Sequence, residues 1–320
     1  MKNFFLMIAL LAVMTACGGG KQAENTDNAN DSTTANNTEN AEGKTNDEAK
    51  TNEAQYGKLM NKEEVGKAKE YTSIAEVEGE ADKSTIIRYR PKDYPKEFPT
   101  PLLQAKNLQV LVLQGYKAAT LPEEIKTFQN LTLLYLSGAN QLEKLPEAIG
   151  ELKNLKTISL EGCRKLDINQ VLSVLKNCPN LENLSLSYLP FTEMPATISE
   201  LKNLKLLKIK NNKFKILPDE FYTLENLKYL AMGSSTKDRY NYEEIFKKMK
   251  ALPKLETLFI PYSGLKGLPD VMKEYPALKK VVWRESDWKD AKADAKKWSD
   301  KFPNFDVTWS TQSTPMYYFY

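Results

Sequence analysis

The 320-residue chain contains no histidine and only three cysteines, Cys17, Cys163 and Cys178. Without histidine there is no Ser-His-Asp or Cys-His nucleophile, no HExxH metalloprotease site and no His-ligated zinc. Three cysteines are too few for a four-Cys zinc site or a disulfide-stapled scaffold. Charge of one sign is also missing: 45 Lys and Arg against 42 Asp and Glu give a net +3, so no basic nucleic-acid binder is indicated. No apolar run is long enough to span a bilayer; the longest, Phe4–Val13, reaches about 15 Å as a helix.

The average charge conceals two unlike segments. Residues 21–55 carry a net −5 and contain no Val, Ile, Leu, Met, Phe, Tyr or Trp. Such a stretch cannot bury enough apolar surface to offset its ordering entropy, and we read it as a disordered tether with a span of roughly 30 Å. Residues 56–320 carry a net +7 and nearly all the large apolar side chains.

Lys2, the short apolar run and the small residues before Cys17 have the form of a secretory signal. The single Cys after Ala16 resembles the lipobox of bacterial lipoproteins. That resemblance implies a diacylglyceryl-modified and acylated Cys17 as the mature N-terminus; two or more acyl chains hold a membrane stably where one does not. An ordinary signal peptide with an incidental cysteine is the alternative.

From residue 84 the chain repeats itself. The unit L-x-x-L-x-L, a turn, and often L-P-x-x-I-x-x-L-x-N starts at Leu108, Leu131, Leu155, Leu181, Leu204, Leu227, Leu255 and Leu278. Ile86, Ile87 and Tyr89 suggest a degenerate opening strand, and Phe305–Trp309 a closing one. This pattern resembles the leucine-rich repeat family, over about 230 residues. The resemblance implies an α/β solenoid with a curved parallel sheet on its concave face and short helices and turns on the convex one. Period-2 geometry turns Leu111 and Leu113, or Leu207 and Ile209, inward and the residues between them outward. The expected organisation is a signal at 1–16, tether at 17–55, N-terminal cap at 56–83, repeats at 84–304 and a C-terminal cap at 305–320.

Leu121-Pro122, Leu145-Pro146, Met194-Pro195, Leu217-Pro218 and Leu268-Pro269 mark bends, since proline presets φ and needs no ladder hydrogen bond. Longer repeats predict helices after Asp167, after Asn241 and after Asp287, the last with Trp288, Ala291, Ala295, Trp298 and Phe302 at helical spacing. Ser73 to Glu76 forms a capping box for a short N-terminal helix. All four tryptophans lie between 283 and 309, and with Tyr317, Tyr318, Phe319 and Tyr320 they read as a C-terminal cap, with a docking tail as the rival.

Cys163 and Cys178 share one repeat similar to the cysteine-containing subtype, where such residues are small and buried; export leaves a disulfide between them open. Binding is expected on the concave face, where Val112, Tyr135, Lys208, Tyr229 and Phe259 point outward and Tyr188, Lys210 and Tyr262 follow in the next turn. Lys205, Lys208, Lys210, Lys213 and Lys215 make the densest basic run, suited to an acidic protein or polysaccharide or simply a solvated surface. The resulting expectation is a non-enzymatic protein-interaction module without cofactor or metal. It would be lipid-anchored in a bacterial envelope, at the outer membrane or cell surface, with no nucleic-acid partner. A carbohydrate- or cell-wall-binding lipoprotein is the alternative, and an enzyme the remote one; Glu123 and Glu124 sit on the convex side with no cleft to tune them.

Overall fold

The computed structural model describes residues 68–91, 96–233, 240–283 and 290–309. The chain divides into two units, Met1–Lys50 and Thr51–Tyr320. The described residues belong to the second. Cys17, the signal, the tether, Arg284, Asp287, Trp288 and the aromatic 317–320 stretch lie outside them.

Each repeat opens with a short strand, and all of them join one parallel sheet in strictly sequential order. The strands are β1 (Glu70–Tyr71), β2 (Ile86–Tyr89), β3 (Val110–Gln114), β4 (Leu133–Ser137), β5 (Thr157–Ser159) and β6 (Asn183–Ser185). They continue as β7 (Leu206–Lys208), β8 (Tyr229–Ala231), β9 (Thr257–Phe259), β10 (Lys280–Val282) and β11 (Asp306–Thr308). Register follows the repeat: Leu111 lies opposite Leu134, Leu184 opposite Leu207, and Leu258 opposite Val281. A single-residue slip would exchange the faces, so the leucines fix the register. Leu111, Leu113, Leu207 and Ile209 are buried, as the alternation requires, in one apolar core that runs from Tyr71 to Val307. No repeat closes this core alone; each strand layer buries the leucines of its neighbour.

The prolines act as expected. Pro122, Pro146, Pro195, Pro218 and Pro269 each stand at the entry of a one-turn 3-10 helix, with φ between −65 and −75°. The asparagine of the L-x-N pattern has a distinct task. Asn154, Asn180, Asn203 and Asn226 donate from Nδ2 to the carbonyls of Gln129, Lys153, Pro179 and Lys202, one repeat earlier, at 2.7–2.9 Å. These bonds satisfy carbonyls that irregular turns would otherwise leave unpaired.

Among the described residues four α-helices are present: α1 (Ile74–Glu78), α2 (Ile168–Leu175), α3 (Tyr242–Met249) and α4 (Ala291–Lys301). Ser73 Oγ caps α1 by accepting from Glu76 N, while the Glu76 carboxylate accepts from Thr72 N. Asp167 and Asn241 cap α2 and α3 through Asn169 N and Glu244 N. The last helix departs from expectation: Asp290, not Asp287, is its cap, accepting from Lys292 N and Ala293 N at 3.0 Å. The helical stripe was read correctly from Ala291 onward, but periodicity does not fix a start and a second aspartate supplied a better-placed acceptor. Trp283 then meets Trp298 edge-on, and Trp298, Phe302 and Phe305 stack in sequence, with centroids 5.2–6.1 Å apart along the series, closing the core at β10–β11.

Cys163 and Cys178 are buried free thiols, not a disulfide. Each donates to a main-chain carbonyl, Cys163 to Leu136 and Cys178 to Ile149. Burial pushes both thiols up to about 12, so neither is a thiolate at neutral pH.

Candidate interaction face and rim

Two rows of side chains cross the sheet on the face opposite the leucines. The first is Val110, Leu133, Thr157, Asn183, Leu206 and Tyr229; the second is Val112, Tyr135, Ser159, Ser185, Lys208, Ala231, Phe259 and Val282. Read along the sheet, the face is apolar at β3–β4, polar at β5–β6 and, in the second row, apolar again from β8 to β10, where Thr257 and Lys280 continue the first row. Asn183 Nδ2 donates to Thr157 Oγ1 at 3.0 Å within the polar belt. Ser159 Oγ, Asn183 Oδ1 and Ser185 Oγ are buried without a hydrogen-bond partner.

The sequence places Val112, Tyr135, Lys208, Tyr229 and Phe259 together on this face, and the register confirms that they share it. Their exposure differs from expectation: these five side chains are only 1–4% exposed. Outward in strand geometry is therefore not the same as solvated. Lys208 is held down to about 7 by desolvation, with the neighbouring Lys210 adding to the effect and Glu161 opposing it.

The accessible groups sit one step further, at the corner where each strand ends. The residue two after the last inward strand position has a left-handed backbone in six repeats: Gly115, Gly138, Gly162, Tyr188, Asn211 and Tyr262, with φ of 54–74°. Its N–H extends the ladder, as Gly138 N donates to Glu161 O, Tyr188 N to Lys210 O and Asn211 N to Gly233 O. Glycine takes this conformation without a Cβ penalty. A tyrosine there carries a cost of roughly 1–2 kcal/mol.

Tyr188 and Tyr262 are each 43% exposed, among the most exposed large apolar side chains described. They flank the ends of β6 and β9, three strand spacings or about 14 Å apart. The Lys210 Nζ lies 6.0 Å from the Tyr188 ring centroid and 5.3 Å from that of Phe259. Desolvation lowers the Lys210 pKa, against the pull of Glu161. The rest of the basic run disperses: Lys205 pairs with Glu182 at 2.8 Å, while Lys213 and Lys215 are exposed beyond the corner.

The sequence placed Tyr188, Lys210 and Tyr262 in the turn but did not reveal that both tyrosines take a left-handed backbone. The signal was present in the aligned repeats, where glycine at 115, 138 and 162 gives way to Tyr188, Asn211 and Tyr262. Glu123 lies on a 3-10 turn, where its carboxylate accepts from Ala148 N at 3.1 Å and serves the stack. No group of three or more His, Cys, Asp or Glu able to hold a metal occurs among the described residues.

Residues 153–297 match a family model described as a leucine-rich repeat region, and residues 90–163 match one described as R13L1/DRL21 leucine-rich repeats. Disease resistance-like protein DSC1 of Arabidopsis thaliana is 34% identical over 93 residues, covering 29% of this chain and 8% of that protein. Disease resistance protein RPS4 of the same plant is 30% identical over 137 residues, 42% of this chain and 10% of that protein. The chain thus spans no more than about a tenth of the length of these relatives. Among solved structures, the leucine-rich repeat domain of the type III effector XopL aligns with a TM-score of 0.48 and 23% identity, over 66% of this chain and 73% of that one. With eight repeats in phase, an unbroken parallel ladder and family models matching across 90–297, the chain is a leucine-rich repeat protein.

Proposed function

We propose that this protein is a non-catalytic interaction module that grips a protein partner with the rim at the ends of β6–β9. Tyr188, Lys210, Asn211 and Tyr262 form the contact. One observation carries the reading: two tyrosines occupy left-handed corners where other repeats use glycine, and both face solvent. Backbone strain combined with aromatic exposure is the mark of a site retained for contact rather than for folding. Lys210 adds a cation beside the Tyr188 ring, favouring a partner that presents an acidic group next to an apolar one.

The same proposal includes delivery to a bacterial envelope. Cys17 would carry the lipid, and residues 17–55 would hold the repeats clear of the headgroups. Support comes from the short apolar run, the small residues before a single cysteine and the tether composition. Replacing Cys17 by Ser should move the protein from the membrane to the soluble fraction.

The decisive experiment is crosslinking on intact cells with the wild type and with Tyr188→Ala/Tyr262→Ala. A partner band lost in the double variant supports the rim. Bands that persist unchanged overturn it, and binding to purified glycans with no protein band would replace the partner class with a carbohydrate.

A further inference from the structure

Between Tyr135 on β4 and Lys208 on β7, the second row of the outward face holds only Ser159 and Ser185. Two short side chains between two long ones leave a trough three strand spacings, or about 14 Å, across. Its floor is polar. Ser159 Oγ, Ser185 Oγ and, in the first row, Asn183 Oδ1 are buried without a hydrogen-bond partner. Buried polar atoms are nearly always paired, and three unpaired oxygens on neighbouring strands only weaken the fold. Each serine hydroxyl can donate. The Asn183 oxygen requires an N–H, because its Nδ2 is already engaged by Thr157 Oγ1.

Charge is laid out unevenly around this floor. Lys208 and, two residues on, Lys210 bring ammonium groups to the β7 side; Glu161, two residues after Ser159, brings a carboxylate to the β5 side. At Lys208 the repulsion of Lys210 is a larger influence than the attraction of Glu161. The β7 side therefore favours an anion, and the β5–β6 side a group that carries an N–H.

We propose that the trough seats an Asp or Glu residue of a peptide partner. Its carboxylate accepts from Ser185 Oγ and Lys208 Nζ, its main-chain carbonyl accepts from Ser159 Oγ, and its N–H donates to Asn183 Oδ1. A peptide residue supplies a donor and two acceptors within a few ångströms, which is what this floor lacks. The inference rests on the reading of the rim as a grip for a protein partner. Ser185 lies about 10 Å along the chain from Tyr188, so a peptide held at the corner reaches the trough.

Heptapeptides displayed on phage and selected on the full chain carrying Cys17→Ser provide the probe. Recovered sequences should share an acidic residue beside an apolar one, and their absence overturns the proposal. A synthetic copy of the best sequence is then measured by fluorescence anisotropy. Ser159→Ala/Ser185→Ala, which leaves the charge unchanged, should weaken binding about tenfold or more, as should Lys208→Met. Replacing the acidic residue of the peptide by its amide should cost a similar factor against the wild type and little against Lys208→Met. Lys213→Met, at an exposed lysine, should bind as the wild type does. The double serine variant should keep or raise its thermal midpoint, because it removes unpaired hydroxyls; a clear fall would show that they serve the fold and overturns the proposal. Wild-type affinity in that variant overturns it too, since the attraction would then be general charge. Tyr188→Ala/Tyr262→Ala separates the two readings. Affinity lost there but kept in the serine variant upholds the rim and rejects the trough, and the reverse upholds the trough and rejects the rim.

Discussion

At the residue scale, the left-handed corner separates two costs that are usually confounded. A Cβ added at Gly138 meets nothing within 4 Å, so Gly138→Ala tests backbone conformation alone. We expect a loss of about 1–2 kcal/mol in denaturant unfolding, all of it from φ. Gly150 is the converse: its φ is ordinary, but a Cβ would approach Asn177 Cβ to 2.7 Å, and its cost is steric. Tyr188→Gly should leave stability equal or raised by up to about 1 kcal/mol, because relief of strain opposes the added chain entropy. The same variant should lose partner crosslinking, and a loss of stability comparable to that of a core mutation would refute the strain argument.

Lys208 gives a pH test. Its folded pKa, about 7, lies below the ordinary value of 10.5 because burial disfavours the ammonium. Between those values the unfolded chain holds a proton that the folded chain lacks, so stability rises with pH across that window. Below about 7 both states are protonated and the full penalty of burying the charge is present. Thermal midpoints should therefore climb from pH 7 to pH 10, and Lys208→Met should be more stable at pH 7 and lose that part of the slope. A slope unchanged by the substitution would place the charge in water.

At the element scale, caps and turns carry the design. Asp290 accepts two N–H groups and is the chief acceptor at the start of α4, so Asp290→Ala should cost about 1 kcal/mol. The loss should appear as faster hydrogen exchange in residues 291–301 before any change in the earlier repeats. How much of this was legible varies with the interaction. The Pro-led turns and α1–α3 could be read because their signals are local: proline fixes φ, and a side-chain oxygen two or three residues ahead fixes a cap. The start of α4 was misplaced because Asp287 and Asp290 carry the same local signal. The asparagine ladder was visible as a repeated letter, but its partners lie 24–27 residues away and only stacking reveals them.

At the scale of the whole molecule, stability is shared between nearest neighbours. Leu184, at the centre of β6, is fully buried between layers. Leu184→Ala should cost about 2–5 kcal/mol. Because each repeat touches only the next, the damage should also divide the unfolding transition, with the β1–β5 side and the β7–β11 side no longer melting together. A single cooperative transition merely shifted in midpoint would show that coupling extends beyond adjacent repeats.

Alternation and spacing in the sequence determined the solenoid, its register and the inward leucines, because a period of two within strands and of about 23 between them admits one way to bury the apolar set. The absence of histidine likewise restricted the available chemistry. What only the tertiary structure decided is which outward positions meet water. Val112, Lys208 and Phe259 point away from the leucine core and are nonetheless buried, while Tyr188 and Tyr262, one turn further on, are exposed in a strained backbone. Strand periodicity gives a direction for each side chain, whereas exposure depends on how closely its neighbours in space pack around it.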